Sequence, residues 1–417
     1  MFRTKIPYGK LTADQLVRLA DVSEKYTNGN LHLTTRQNVQ YHYVKLNDAT
    51  AIWTELAELG VTAREACGNT VRNITASARA GIDPNEPFDV TPYVEATFEY
   101  FLRNPICQDM GRKIKIAFSS SEQDSAYTYF HDFGFIPLIK DIDGEAQRGF
   151  KVVVAGGLGA QSIVAQTAYE FLPTDQIIPF MEAAIRIFDR YGEREKRYKA
   201  RMKFLVKQLG LDGFLELVEQ ERTAIKHQFV AISPNIALPP IPAANTDETT
   251  ALAVDQDRFD LWLSTNVFAQ KQEGFFAVQL RVPKGDIHAK EARKLAQLVK
   301  KWAADDLRIT VNQGILLRFV RREALVALFN GLDEIGLARP GFDSIADITA
   351  CPGTDTCNLG VTNSMGLATK LEEVIAEEYP ALIQESNLHI KISGCMNACG
   401  QHMAANIGFH GSSIKNK

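Results

Sequence analysis

At 417 residues the chain is too long for one ordinary hydrophobic core, and two or three domains are expected. Its 45% hydrophobic and 23% charged content is that of a globular protein, and a net charge of −4 excludes a global attraction to nucleic acid or an anionic membrane. No apolar run approaches the ~18 residues of a spanning helix, MFRTKIPYGKL lacks the apolar stretch of a secretory signal, and six cysteines are no disulfide framework for so long a chain; the expected compartment is the cytoplasm.

Residues 5–45 read as strand, helix, strand, strand. The helix runs over LTADQLVRLADVSEKY, with Leu16, Leu19, Ala20 and Val22 on one face, and Asn28-Gly29-Asn30 breaks it. LHLTT and VQYHYVKL then alternate as strands. The same pattern returns 276 positions later without a gap: Pro7 matches Pro283, Gly9 Gly285, Leu31 Leu307, Thr34 Thr310, Gln37 Gln313 and Val44 Val320. This is a duplicated βαββ unit. The copies differ where charge is concerned, since Arg3 aligns with Gln279 and Arg36 with Asn312. Such asymmetry is expected if the first copy binds an anion and the second supports the fold.

Between the copies lies a larger α/β region, residues 65–230. Its strand candidates are IKIAF, FGFIPLI and GFKVVVAG, and its helices include TPYVEATFEYFLRN and DQIIPFMEAAIRIFDRYG. The Pro- and Asn-rich segment around 233–250 has no period and marks a linker, 231–258. The organisation is therefore 1–64, 65–230, the linker, 259–338 for the second copy, and a last region, 339–417.

That last region carries Cys351 and Cys357 in CPGTDTC and Cys395 and Cys399 in CMNAC. Zinc usually takes tighter cysteine pairs, often with histidine. Four thiolates at C-x5-C and C-x3-C suit a [4Fe–4S] cube, with zinc and plain buried thiols as the rival readings. Of the other cysteines, Cys107 reads as buried packing, and Cys67 is assigned no chemistry.

Basic residues recur where strands end: Arg36 in LTTRQNVQ, Arg72 in CGNTVRN, and Arg112, Lys113 and Lys115 in MGRKIKIAF. In a strand Lys113 and Lys115 share a face, where solvent or a bound anion must relieve their repulsion. REKRYKARMK (194–203) reads as a helix with Arg197, Arg201 and Lys203 along it, and AGGLGAQ (155–161) as a glycine turn whose N–H groups are open to an anion.

Together, C-x5-C…C-x3-C, LTTRQNVQ, GNTVRN, RKIK, AGGLG and the duplicated βαββ units resemble the sulfite and nitrite reductase hemoproteins, over essentially the whole chain and in the family's order. The resemblance implies an α+β fold with pseudo-twofold duplicated ferredoxin-like βαββ units, 1–64 and 259–338, plus α/β sirohaem-binding domains, 65–230 and the start of a second at 339–417. It implies sirohaem and a [4Fe–4S] cluster as cofactors. Cys351, Cys357, Cys395 and Cys399 would ligate the cluster, Cys399 also bridging it to the sirohaem iron. Arg3, Arg72, Lys113 and Lys115 would hold the oxyanion, and Arg36, Gln40, Lys203 and Asn397 would surround the sirohaem.

The implied activity is six-electron reduction of sulfite to sulfide, with nitrite reduction to ammonia as the alternative; a second ammonium at Lys115 favours the sulfite dianion. Ferredoxin or a flavoprotein reductase would supply electrons. A non-catalytic iron–sulfur carrier and a zinc-stabilised binding module are the readings from other classes. The chain departs from the family pattern at His32, where some relatives carry an arginine toward a sirohaem carboxylate. It also ends 18 residues after Cys399, where the family continues through a further glycine-rich region, so a truncated chain is expected.

Overall fold

The computed structural model describes residues 1–242, 253–386 and 388–413; residues 243–252 of the expected linker lie outside the described residues. The chain forms two compact units, one of Met1–Ala63 with Leu238–Lys417 and one of Arg64–Ala237.

In the first unit the duplication is visible element by element. Helices Ala13–Tyr26 and Ala289–Trp302 stand 276 positions apart at both ends and pack on each other. The first begins in a capping box: Thr12 Oγ1 accepts from the Gln15 N–H at 3.1 Å, and Gln15 Oε1 accepts from the Thr12 N–H at 3.0 Å. Its buried face holds Leu16, Leu19, Ala20 and Val22, as its periodicity predicts.

The copies also exchange strands. One antiparallel sheet has the order Phe2–Arg3, Val39–Tyr41, Asn30–Leu33, Asp286–His288. The other runs Val267–Ala269, Phe275–Leu280, Ile315–Arg321, Leu307–Ile309, Lys10–Leu11. The short strand before each helix thus completes the sheet of the other copy, Ile287 opposite Leu31 and Leu11 opposite Leu307. The same reciprocity governs two buried amides: Gln37 Nε2 donates to Ile309 O and Gln313 Nε2 to Leu33 O, each at 2.9 Å. Glycine is required at the crossings. Gly9 and Gly285 have φ of +71° and +73°, and a Cβ would stand 2.4 Å from Ile309 O in one case and 2.6 Å from Leu33 O in the other.

The C-terminal part of this unit is a parallel sheet of Thr349–Ala350, Ile390–Ser393 and Ile407–His410. Ala368 and Ile375 of helix Ser364–Glu378 pack with Ala350, Ile390 and Ile392 in its core.

The second unit is a five-stranded mixed sheet in the order Thr75–Ala76, Ile116–Phe118, Phe133–Ile142, Glu145–Val154, Gln166–Pro173. The first three strands are parallel and the last two antiparallel. Phe118 stacks on Phe135 with ring centres 4.6 Å apart, and Phe150 meets both edge-on. Helices Thr91–Phe101 and Ile177–Tyr191 lie where the sequence pattern predicts. The segment 194–203 does not form the expected helix: a 3-10 turn covers Arg197–Lys199, and the helix starts only at Met202. Arg194, Lys196, Arg197 and Lys199 stay exposed, while Arg201 and Lys203 are drawn into the unit, Arg201 Nη2 pairing with the buried Asp132 Oδ2 at 2.7 Å.

Candidate functional site

The cysteines sit where two neighbouring parallel strands end. Thr349–Ala350 runs directly into Cys351, and Ile390–Ser393 leads through Gly394 into Cys395. The Cys351 N–H extends the ladder by donating to Ile392 O at 3.1 Å, and the Gly394 N–H donates to Cys351 Sγ at 3.1 Å. The loops are too close for side chains at their contact: a Cβ on Gly394 would stand 2.5 Å from Gly353 Cα. Cys351 and Cys395 are half-buried, Cys357 and Cys399 exposed. Asn397 is exposed between the last two cysteines.

The first βαββ copy reaches this cradle directly. Thr35, in the turn before Arg36, donates from Oγ1 to Cys399 O at 3.0 Å. The sequence pattern pointed to Arg36 and not to Thr35. Arg3 and Gln40 face each other across paired strands, and with the Gln40 amide turned to present its oxygen, that oxygen accepts from Arg3 Nη2 at 2.8 Å and Nε at 3.0 Å. From the second copy, Gln313 Oε1 accepts from the Ala350 N–H at 2.9 Å, one residue before Cys351.

In the other unit, Arg72, Lys113 and Lys115 come together. Val71 and Ile114 are buried bridge partners in parallel segments, and the Arg72 N–H donates to Ile114 O at 3.0 Å. Alternation then carries Arg72, Lys113 and Lys115 to the opposite, half-buried face. Asp132, which the sequence reading overlooked, fixes this strand by accepting from the Lys115 N–H at 2.8 Å while it pairs Arg201. Burial and the neighbouring cations Arg197 and Arg201 push the Arg112 guanidinium down.

Lys203 is buried, and its ammonium donates to the carbonyls of Gly157 and Leu158 at 3.2 Å each and to that of Gln161. Burial, then the charge of Arg201, pushes it down to about 8. It shapes the AGGLGAQ turn from within. Cys107 is buried, as its packing role requires, and Cys67 is exposed.

A family model for the nitrite/sulfite reductase ferredoxin-like half domain matches residues 1–59 and 268–335. A second, for the nitrite and sulphite reductase 4Fe-4S domain, matches residues 67–226. The chain is 30% identical to the chloroplastic ferredoxin–nitrite reductase of Zea mays over 423 residues, covering all of this chain and 70% of that protein. The chain belongs to the nitrite and sulfite reductase family. A similar relative is sulfite reductase [ferredoxin] 1 of Mycolicibacterium paratuberculosis, 27% identical, again over all of this chain and 70% of the relative. The solved structure of the Mycobacterium tuberculosis NirA protein superposes with a TM-score of 0.81 at 27% identity, over 99% of this chain and 71% of that one.

The protein is an oxidoreductase of that family, with a [4Fe–4S] cluster and sirohaem as its cofactors. The four-cysteine set fits such a cluster in donor chemistry, in its place at the ends of adjacent strands, and in the N–H already directed at Cys351 Sγ. Among the described residues no three His, Cys, Asp or Glu side chains stand close enough to hold a metal ion. Also among the described residues, no helix is long and apolar enough to cross a membrane.

Proposed function

We propose that this chain reduces nitrite to ammonia, taking up six electrons and eight protons and releasing two waters per ammonium formed. The observation that carries this reading is whole-chain likeness to a ferredoxin–nitrite reductase; Arg72, Lys113 and Lys115 on one face of the Arg64–Ala237 unit supply cations for either oxyanion. The lean toward sulfite drawn from the lysine pair yields to nitrite, the substrate named for the maize relative.

Cys351, Cys357, Cys395 and Cys399 would hold the cluster, with Cys399 shared with the sirohaem iron; the exposed Cys357 and Cys399 are the two that must turn inward. The cofactors supply the electron path and the iron that binds substrate. Arg72 stays charged and polarises the oxyanion oxygens, and Arg3 is assigned the same role. Lys113 and Lys115 donate protons as oxygens leave as water. Charge-assisted hydrogen bonds of this kind contribute about 1.5–3 kcal/mol each. Arg36, Gln40 and Asn397 would meet the sirohaem carboxylates and amides, and Lys203 would serve the macrocycle by holding the glycine turn. The electron donor would be ferredoxin, as in the relatives' names, with a flavoprotein reductase as the alternative, and the compartment the cytoplasm.

Sulfite reduction to sulfide is the second reading, favoured by the Lys113 and Lys115 pair. Turnover of each anion with a chemical electron donor decides between them. On the nitrite reading kcat/KM for nitrite exceeds that for sulfite, and the reverse order overturns it. Lys115→Asn is expected to lower sulfite turnover more than nitrite turnover; equal losses on both would remove any part for that ammonium in substrate choice.

A further inference from the structure

The family model that names a [4Fe–4S] cluster matches residues 67–226, a stretch whose only cysteines are Cys67 and Cys107. A shift of 274 positions relates that stretch to the cysteine-bearing one. It carries ITAS (74–77) onto ITAC (348–351). Strand Ile116–Phe118 falls on the start of Ile390–Ser393, Phe133–Ile142 on the start of Ile407–His410, and the 3-10 turn Thr128–Phe130 on His402–Ala404. The left-handed residues Asp124 and Tyr127 fall on the left-handed Ala398 and Gln401.

Backbone hydrogen bonds repeat too. Ser77 N–H to Phe118 O (2.9 Å) corresponds to Cys351 N–H to Ile392 O (3.1 Å), and Asp124 N–H to Ser121 O (3.2 Å) to Ala398 N–H to Cys395 O (3.5 Å). The same shift carries Cys351, Cys357, Cys395 and Cys399 onto Ser77, Asp83, Ser121 and Ser125.

Three of these four positions are tied together in the first stretch. Ser125 Oγ and Ser77 Oγ are 2.7 Å apart, Ser77 Oγ and Ser120 Oγ 3.0 Å, and Ser120 Oγ donates to Asp83 Oδ2 at 2.6 Å. Each hydroxyl can donate to the next, Ser77 to Ser120 and Ser120 to the Asp83 carboxylate, which accepts the last hydrogen bond. Ser77, Asp83 and Ser120 are buried. Ser120 supplies the middle of this chain, and its counterpart is Gly394, where no Cβ fits and the N–H points at Cys351 Sγ. One stretch fills its cradle with a side chain; the other keeps it clear.

We propose that residues 74–136 are a cluster cradle converted from sulfur to oxygen chemistry. Its four ligand positions have become Ser77, Asp83, Ser121 and Ser125, and the hydroxyl chain through Ser120 closes it without metal. Hydroxyls and one carboxylate are poor partners for iron–sulfide, which soft thiolates hold. The chain then has one cluster site, at residues 351–399, despite the cluster named for the matched stretch; this rests on the reading of the four cysteines as ligands.

The test is anaerobic reconstitution of the full chain with ferrous iron and sulfide. Ser77→Cys, Asp83→Cys, Ser120→Gly, Ser121→Cys and Ser125→Cys, combined in one chain, should roughly double bound iron and acid-labile sulfide relative to wild type. The same five changes in a chain with Cys351, Cys357, Cys395 and Cys399 replaced by serine should retain one cluster's worth, which keeps the result readable if the ligand assignment fails. A folded five-residue variant with no added iron overturns the proposal. Hydrogen exchange on the wild-type chain is independent of whether that variant folds. Reconstitution should slow amides at 351–362 and 394–401 and leave those at 77–83 and 119–126 unchanged. Slowing at 77–83 overturns the proposal, and no change at 351–362 overturns the ligand reading beneath it.

Discussion

The two βαββ copies place matching residues at matching positions and fill them with opposite chemistry. In the second copy Asp306, Arg308 and Arg318 are all buried; Asp306 Oδ2 accepts from Arg308 Nη2 at 2.7 Å and from Arg318 Nη1 at 2.6 Å. Lys10, delivered by the exchanged strand, lies opposite Arg308. The corresponding residues of the first copy are Asn30, His32 and His42, and the exchanged strand delivers Asp286, whose Oδ1 is 2.7 Å from His32 Nδ1. His32, His42 and Asp286 line a small cleft with Pro352, Asp355 and Thr356 of the first cysteine loop. The second copy seals its charges in a fixed triad, while the first keeps neutral or titratable groups beside the loop that carries Cys351 and Cys357. The asymmetry first visible at Arg3/Gln279 and Arg36/Asn312 extends through the interior. Asn312 accepts from the buried Lys391 Nζ at 2.7 Å and donates to Asp343 at 2.8 Å, a packing role that an arginine would not fill.

The comparison is most sharply broken at the triad. Asp306→Asn leaves two buried guanidiniums facing each other and is expected to cost about 3–5 kcal/mol in urea unfolding. Asn30→Ala at the matching position should cost under about 1 kcal/mol. Similar losses at both would mean that the copies share the structural load. The reciprocal glutamines come next. Gln37→Ala and Gln313→Ala each strip a buried strand carbonyl of its donor, at about 1–3 kcal/mol. Gln313→Ala also releases the Ala350 N–H beside Cys351, so it alone should speed loss of iron to a chelator. Equal iron loss from both variants would argue against that link.

Much of this was legible in the residues. The 276-position repeat returned helices that match end for end, and the Leu16/Leu19 face follows from local pattern. The strand exchange was not legible, because a two-residue strand after Gly9 carries no mark of which sheet it will join. The segment 194–203 misled for a different reason. Its charges have helical spacing, but burying Arg201 against Asp132 and Lys203 against three carbonyls gains more than a solvated helix turn. The counterparts of the cysteines were hidden twice over, by a shift from 276 to 274 positions and by residue types that share no metal chemistry with thiols.

Acid titration separates the copies in the gentlest way. Burial, then the nearness of His32, pushes the His42 imidazole down to about 4 from its usual 6.5. Its folded value lies below the unfolded one, so its contribution is fully present above pH 6.5 and is lost as pH falls toward about 4, where the unfolded chain has already taken up the proton. Asp306 acts in a lower window: burial opposes its charge, but Arg308 and Arg318 still hold it down to about 2, below the usual 3.8. Its contribution survives until the pH falls from about 4 to about 2. Unfolding free energy followed from pH 8 to pH 3 should therefore decline first in the histidine window. His42→Asn should flatten that first decline and leave the lower one in place. If the slope between pH 6.5 and 4 survives His42→Asn unchanged, the acid sensitivity of the first copy lies elsewhere, and its difference from the sealed triad is one of shape alone.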